Sequence, residues 1–261
     1  MKNIINYDIN FKNIPFSVKK YLYIHNDIYQ DIQINKDYNK EELIEIKNEE
    51  IKCKPFWNDE LVFTWNEEDD YIINLEGEEM SKYIKNNPNF WIFVRKEVKN
   101  KLLEIDKYLK EKWYYLALKI WYRPVEVQKS LFEEIFKYYK EKHITNPEKT
   151  EKEIYNETIQ MISDPSKFIS PHTTGGAVDV VLYDENWDLV DMWCVANYIW
   201  DEAHISTDLI TDKQKANRDI LIDSFLNHWF ATLASEWWHF SYWDQAWAKF
   251  VGEEEARYWS V

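Results

Sequence analysis

Ser-Glu-Trp-Trp-His-Phe, residues 235–240, sets Glu236 and His239 three residues apart in an aromatic run near the C-terminus. A Glu-x-x-His pair alone says little, because two common polar residues reach that spacing often by chance. A second stretch, Ser-Pro-His-Thr-Thr-Gly-Gly-Ala-Val-Asp at 170–179, adds another histidine and a carboxylate. His172, Asp179 and His239 would give one zinc three protein ligands and leave the fourth position for water, as catalytic rather than structural sites do. Glu236 is then the group that moves a proton. The plainer reading is an aromatic core around a satisfied histidine, and a glycine turn feeding an ordinary strand.

Geometry constrains both stretches. His172 and Asp179 are seven residues apart, which is roughly 23 Å of straight strand. Both ligand atoms must lie about 2 Å from one metal, so the chain between them has to curl. Gly175-Gly176 is where it can, since glycine accepts positive φ, and these are half of the chain's 4 glycines. On a regular strand, residues i and i+3 face opposite sides. Glu236 must therefore sit at the strand entry, or a bulge must re-aim one of the pair.

Around these stretches the pattern predicts mixed secondary structure. Val94, Val98, Leu102, Leu103, Ile105 and Leu109 give a helical spacing over 94–112. Residues 114–122 read as a buried strand, ended by Arg123-Pro124. Helical spacing returns over 125–142 and 212–229, with a short helix at 151–162. Residues 177–183 read as a strand before a turn at Asp184-Glu-Asn, and 235–243 as the last strand. The absence of regular strand–helix alternation predicts an α+β fold: a central, mostly antiparallel sheet flanked by helices, with a single zinc site on the sheet. Residues 1–85 carry no motif and read as an N-terminal extension packed on a peptidase domain at 86–261; within them, 19–34 alternates in places like a strand and 40–54 reads as a short helix or solvated loop.

Arg123 is one of only four arginines among 32 Lys and Arg. Arginine in a lysine-rich chain points to its fork of donors. Beside a metal, such a fork can stabilise the oxyanion of a tetrahedral intermediate; the plainer role is a structural ion pair.

Bulk properties narrow the class. A net charge of −15 argues against nucleic acid or an anionic membrane as partner. Two cysteines, Cys53 and Cys194, make no disulfide framework and no zinc-ribbon spacing. The first residues lack the apolar core of a signal peptide, and no apolar run reaches the ~20 residues of a membrane span, so the expectation is a soluble, cytoplasmic protein.

Tyr122-Arg123-Pro124, the Ser170-x-His172-x-x-Gly175-x-Ala177-x-Asp179 segment and Glu236-Trp-Trp-His239 together resemble the zinc D-alanyl-D-alanine dipeptidases, part of a wider group of D-Ala-D-Ala carboxypeptidases and peptidoglycan endopeptidases. The likeness spans about residues 95–250, with three motifs in the same order. It implies one Zn2+ per chain held by His172, Asp179 and His239, with Glu236 as general base towards metal-bound water. It also implies Arg123 as transition-state stabiliser and Ser170 as a substrate-holding serine. The double tryptophan and Phe240-Ser241-Tyr242 resemble the dipeptidase branch, whose substrate is a small D-Ala-D-Ala-type peptide. One departure concerns the family Asp that receives the substrate ammonium: Asn197 stands there, with Asp201 or Glu202 as possible substitutes. A wall carboxypeptidase or endopeptidase, and an inactive peptide-binding homologue, remain as alternatives.

One more figure stands out. The chain has 4 glycines and 14 tryptophans, where average usage gives roughly 18 glycines. Trp121, Trp187, Trp193, Trp229 and Trp243 fall where the family or plain turn chemistry favours glycine. Trp237 and Trp238 match the family as they stand. Translation of UGA as Trp, where the source reads Gly, would lower glycine and raise tryptophan together.

Overall fold

Two apolar runs form the centre of the sheet. β5 (Tyr115–Ile120) and β6 (Ala177–Tyr183) are almost wholly buried along their length, as strands covered on both faces must be. The computed structural model describes residues 32–35, 37, 41–53, 78–79, 82–83, 85–86, 92–144, 149–193 and 201–261. The other elements in chain order are β1 (Gln33–Ile34), β2 (Leu43–Glu45), β3 (Lys52–Cys53), β4 (Phe93–Arg95), α1 (Lys96–Lys110), α2 (Val125–Ile144) and α3 (Glu151–Met161). After β6 come α4 (Asp212–Leu226), β7 (Ala231–Leu233), β8 (Glu236–Ser241), α5 (Gln245–Val251) and β9 (Glu255–Ala256).

The main sheet has the order β3-β5-β6-β8-β7. It is mixed: β3 runs parallel to β5, and the β5–β6, β6–β8 and β7–β8 pairings are antiparallel. α1 covers it with Val98, Leu102, Ile105 and Leu109, all fully buried on one helical stripe. α2 and α3 pack on each other through a second apolar cluster that includes Val127, Leu131, Ile135 and Ile154. Capping boxes at Thr150 and Thr211 start α3 and α4, each satisfying two of the orphaned N–H groups of a helix start.

The structure departs from the sequence reading in three places. Segment 40–54, expected as helix or loop, contains β2 and β3, which pair with β4 and β5; its charges mask strands too short to show a period. The helix expected from residue 94 begins at Lys96, because Phe93–Arg95 is bonded to β2 as a strand. β8 is followed by α5 and β9, although Asp244 as N-cap and Gly252 as C-cap bracket α5 legibly. The alternation at 19–34 lies almost wholly outside the described residues, and Cys194 lies outside them too. Among the described residues no helix is long and apolar enough to cross a membrane.

Backbone torsions single out the tryptophans. Among the described residues, five non-glycine positions have positive φ, and all are Trp: Trp113 (64°), Trp187 (64°), Trp193 (76°), Trp229 (70°) and Trp243 (56°). Trp113 ends α1: its N–H donates to Lys110 O at 3.1 Å, and the Tyr114 N–H donates to Leu109 O at 3.0 Å. Trp229 ends α4 in the same way, donating to Leu226 O while Phe230 donates to Phe225 O. Both are Schellman caps with Trp at the position that glycine normally fills. Trp121 is not in this set and is buried, so the conformational argument does not extend to it.

Left-handed backbone costs a residue with a Cβ roughly 1–2 kcal/mol. Trp113→Gly and Trp229→Gly are each expected to stabilise the fold by about 1 kcal/mol. A urea titration checks this: the midpoint rises and the slope stays unchanged.

Candidate metal centre

Asp179 on β6 and His239 on β8 are direct cross-strand partners, so the sheet register alone sets a carboxylate beside an imidazole. The β7–β8 register shifts between Thr232 and Leu233, and Glu236 is the first residue of β8. Strand entry and bulge both act here, and together they free Glu236 from the strict alternation that would turn it away from His239. His239 Nδ1 lies 4.0 Å from Glu236 Oε2.

His172 arrives by the curl that its spacing demands. Pro171–Thr174 form a single 3-10 turn headed by Ser170, and Gly175 closes it at φ 72°. The turn is held from behind. The Arg95 N–H donates to Gly175 O at 2.9 Å and Arg95 Nε to Thr174 O at 2.7 Å. The other guanidinium nitrogens bond to the carbonyls of Glu41 and Trp259. A Cβ on Gly175 would come within 2.4 Å of Leu43 Cδ2, and one on Gly176 within 2.6 Å of Tyr242 O, so this loop lies close against β2 and against the backbone just past β8.

The result is a buried group of three. His172, Asp179 and His239 offer ligand atoms within 4.8 Å of one another. Asp179 Oδ1 lies 3.5 Å from His172 Nε2 and 2.9 Å from His239 Nδ1. Two ligands about 2 Å from one tetrahedral zinc are about 3.3 Å apart, and the two separations from Asp179 Oδ1, 3.5 and 2.9 Å, lie on either side of that value. The remaining ring nitrogens are engaged elsewhere. His172 Nδ1–H donates to Trp121 O at 3.2 Å, and His239 Nε2 meets Ser241 Oγ at 3.1 Å. Each imidazole therefore points one nitrogen at Asp179 and anchors the other, the arrangement usual for metal-bound histidines. Two imidazoles and one carboxylate suit zinc.

The charges of the group support one another. Burial pushes the Asp179 carboxyl up, but His172 and His239 outweigh it and hold it below the usual carboxylate range. Burial pushes both histidines down; His172 ends lower than usual, while the hydrogen bond and charge of Asp179, with help from Glu236, raise His239. Glu236 keeps 36% of its side chain exposed, yet its dense surroundings, and then the charge of Asp179, push its carboxyl up to about 7. A dication in the group would act in the opposite direction.

Arg123 follows β5. Its backbone N–H donates to His172 O at 3.0 Å and its Nη1 to Gln128 Oε1 at 2.8 Å. Its charge lowers the pKa values of both His172 and Glu236. Ser170 is buried at the head of the turn. Asn197 lies outside the described residues. Glu202 is engaged through its backbone, its carbonyl accepting from Arg218 Nη1 at 2.7 Å.

Sequence reasoning missed Ser241, Asp244, Arg95 and the Trp121 carbonyl. Ser241 carried a usable signal: two residues after His239 on a strand, it must share its face. Carbonyls and clamps from distant segments leave no local trace.

The family profile described as D-ala-D-ala dipeptidase matches residues 77–256. Similar solved structures include VanYB in complex with D-Alanine-D-Alanine, at 16% identity and TM-score 0.38, covering 62% of this chain and 77% of that one. A VanY D,D-pentapeptidase variant from a VanB-type vancomycin resistance cassette, in complex with Zn(II), is 13% identical at TM-score 0.41, covering 87% and 96%. The LdcB LD-carboxypeptidase is 18% identical at TM-score 0.36, covering 61% and 64%. No curated protein matches.

Gly176→Ala is expected to destabilise the fold by about 1–3 kcal/mol, the usual cost of overpacking, because the Tyr242 carbonyl in its way is backbone that cannot swing aside. Thermal unfolding of the metal-free chain checks this.

Proposed function

The chain belongs to the D-ala-D-ala dipeptidase family, and from that premise we propose that it is a zinc-dependent dipeptidase cleaving D-Ala-D-Ala or a related cell-wall dipeptide. The observation that carries the reading is the buried convergence of His172, Asp179 and His239 with a partly exposed Glu236 at their edge. One Zn2+ per chain, held by these three residues, would polarise the scissile carbonyl and lower the pKa of water.

The protein's own residues supply the rest. Glu236 accepts a proton from the attacking water as the new C–O bond forms. It then returns that proton to the departing amine as the C–N bond breaks, so one carboxylate serves as base and then acid. Arg123 offers N–H donors to the oxyanion that develops on the carbonyl oxygen. Its bond to Gln128 fixes the fork in advance, so little reorganisation remains at the moment of reaction. Asp179, kept ionised by its two histidines, balances part of the charge of a dication. Ser170, at the head of the turn carrying His172, contacts the bound peptide.

Asn197 bears on substrate length. A free dipeptide brings an ammonium group, and an amide receives it with a hydrogen bond but without a countercharge. Hydrolysis of D-Ala-D-Ala should therefore be compared with that of an N-acylated peptide ending in D-Ala-D-Ala. Faster turnover of the acylated peptide would move the assignment to a carboxypeptidase.

Glu236→Gln is expected to retain zinc and lose activity by about 10²–10⁴-fold. Arg123→Lys, which keeps the charge but loses the fork, is expected to lower kcat by about 10²–10³-fold. Zinc content and single-substrate kinetics read both outcomes. A Glu236→Gln chain that turns over at the parent rate would sink the assignment, and a zinc-loaded parent that cleaves no D-Ala peptide would make this chain a binding protein.

A further inference from the structure

We infer that Trp113, Trp187, Trp193, Trp229 and Trp243 are glycines in the protein as its source makes it, the gene's UGA codons being read there as glycine. The first ground is selectivity. A few per cent of ordinary residues adopt positive φ, and Asn and Asp do so several-fold more often. This chain is rich in both, yet among the described residues every non-glycine at positive φ is a tryptophan.

The second ground is that three of these positions belong to motifs that specify glycine. Trp113 and Trp229 occupy the left-handed residue of two Schellman caps. At the end of α5 the same left-handed C-cap is a real glycine, Gly252 at φ 83°. Trp187 ends the tight turn after β6: its N–H donates to Asp184 O, and the Asp184 N–H donates to Asp188 O. That is a type I turn followed by a left-handed residue, the hairpin loop that places glycine there.

The third ground is what the rings do. Trp113, Trp187, Trp193 and Trp229 are 66%, 45%, 39% and 60% exposed, whereas Trp237, Trp238 and Trp247 are 1%, 1% and 5% exposed on ordinary backbone. Four of the five left-handed tryptophans thus keep much of their ring in solvent, although Trp187 stacks on Tyr115 at 4.8 Å; the fifth, Trp243, is partly buried and packs on Trp247 at 4.1 Å. Composition agrees, with 14 Trp against 4 Gly. Trp121 stays outside this inference because its backbone makes no such demand.

The test is the gene and the protein from its source. UGA at all five positions, UGG at Trp237, Trp238 and Trp247, and tryptic peptides lighter by one Trp-to-Gly difference per site are expected. UGG at any of the five, or peptides of tryptophan mass, overturns the inference. Independently, the recombinant chain with five glycines should unfold at a temperature higher by roughly 2–4 °C per site. An unchanged or lower Tm overturns the backbone argument.

A separate observation carries a second inference, which rests on the zinc reading. We propose that Ser241 and Asp244 are positioning residues for His239. Ser241 Oγ lies 3.1 Å from His239 Nε2, and its side chain is near enough to the Asp244 carboxyl to pull that group's pKa down against the upward push of burial. Both residues are almost fully buried. Asp244 Oδ1 caps α5 through the Trp247 N–H at 2.8 Å, while Oδ2 makes no regular hydrogen bond. With the Ser241 hydroxyl accepting from Nε2–H, the ring keeps Nδ1 turned towards Asp179, the nitrogen that a metal placed between them would take as its ligand.

Chelator competition on the full chain reads this apart from activity. Ser241→Ala is expected to weaken zinc binding about 10–100-fold, with Ser241→Thr restoring it. Asp244→Asn, which keeps the cap, is expected to weaken it as well. Parent-like zinc affinity in both Ser241→Ala and Asp244→Asn overturns the proposal. A parent chain that binds no zinc sinks the zinc reading itself.

Discussion

The register between β6 and β8 is the constraint on which the site depends. It makes Asp179 and His239 direct neighbours, and a shift of one residue would turn one of them to the opposite face. Register is strongly specified where both faces of a strand are buried, and β6 is buried at every position. The apolar residues Val178, Val180 and Leu182 thus hold the polar pair in place: a slip of one residue would drive Asp179 onto their apolar face and set a valine against His239. The energy that fixes the metal group is the hydrophobic energy of the core around it.

The third member of the candidate metal group comes from outside the sheet. His172 reaches the pair through a glycine turn whose positive φ and absence of side chains let the loop press against β2 and the backbone just past β8. Arg95 closes that arrangement from the N-terminal side of α1, tying Thr174 and Gly175 to Glu41 and Trp259. Three distant segments therefore meet on one guanidinium. A buried arginine is costly to desolvate; here its charge is spread over backbone carbonyls and the Tyr258 ring, so the fork serves as a structural knot.

Much of this is legible in the sequence, for identifiable reasons. The curl at 175–176 follows from chain length against metal–ligand distance, and the need for a bulge or strand entry at Glu236 follows from strand alternation; both are hard geometric demands. α1 and α2 follow from apolar period over three or more turns. β2 and β3 are not legible, because two or three residues cannot display a period and the segment is charged. The helix at 212–226 has little amphipathic bias, with Gln214, Arg218 and Ser224 among its buried residues. Arg218 is satisfied by the carbonyls of Met192, Glu202 and His204, contacts no local pattern predicts. The surroundings of the ligands are half legible: Ser241 follows from strand period, whereas the Trp121 carbonyl depends on how β5 leaves the sheet.

The tryptophans show how local and global requirements can be separated. At Trp237 and Trp238 the ring is what the fold uses: both are buried, meet edge to face at 5.4 Å, and flank the metal group within β8. At Trp113 and Trp229 the fold uses only the backbone, which must turn left-handed so that Tyr114 and Phe230 can return into the core. A cap of that kind is set by the helix it ends and by the apolar residue that follows it, so the position demands positive φ whatever side chain it carries. Both features of a tryptophan, its bulk and its Cβ, work against the demand, and glycine removes both. Sites where sequence and backbone disagree are expected at functional centres, where strain serves the chemistry. Three of these disagreements, at Trp113, Trp187 and Trp229, sit instead at two helix ends and a hairpin turn, away from the candidate metal group. The conflict therefore belongs to the identity of the residues and not to the function of the protein.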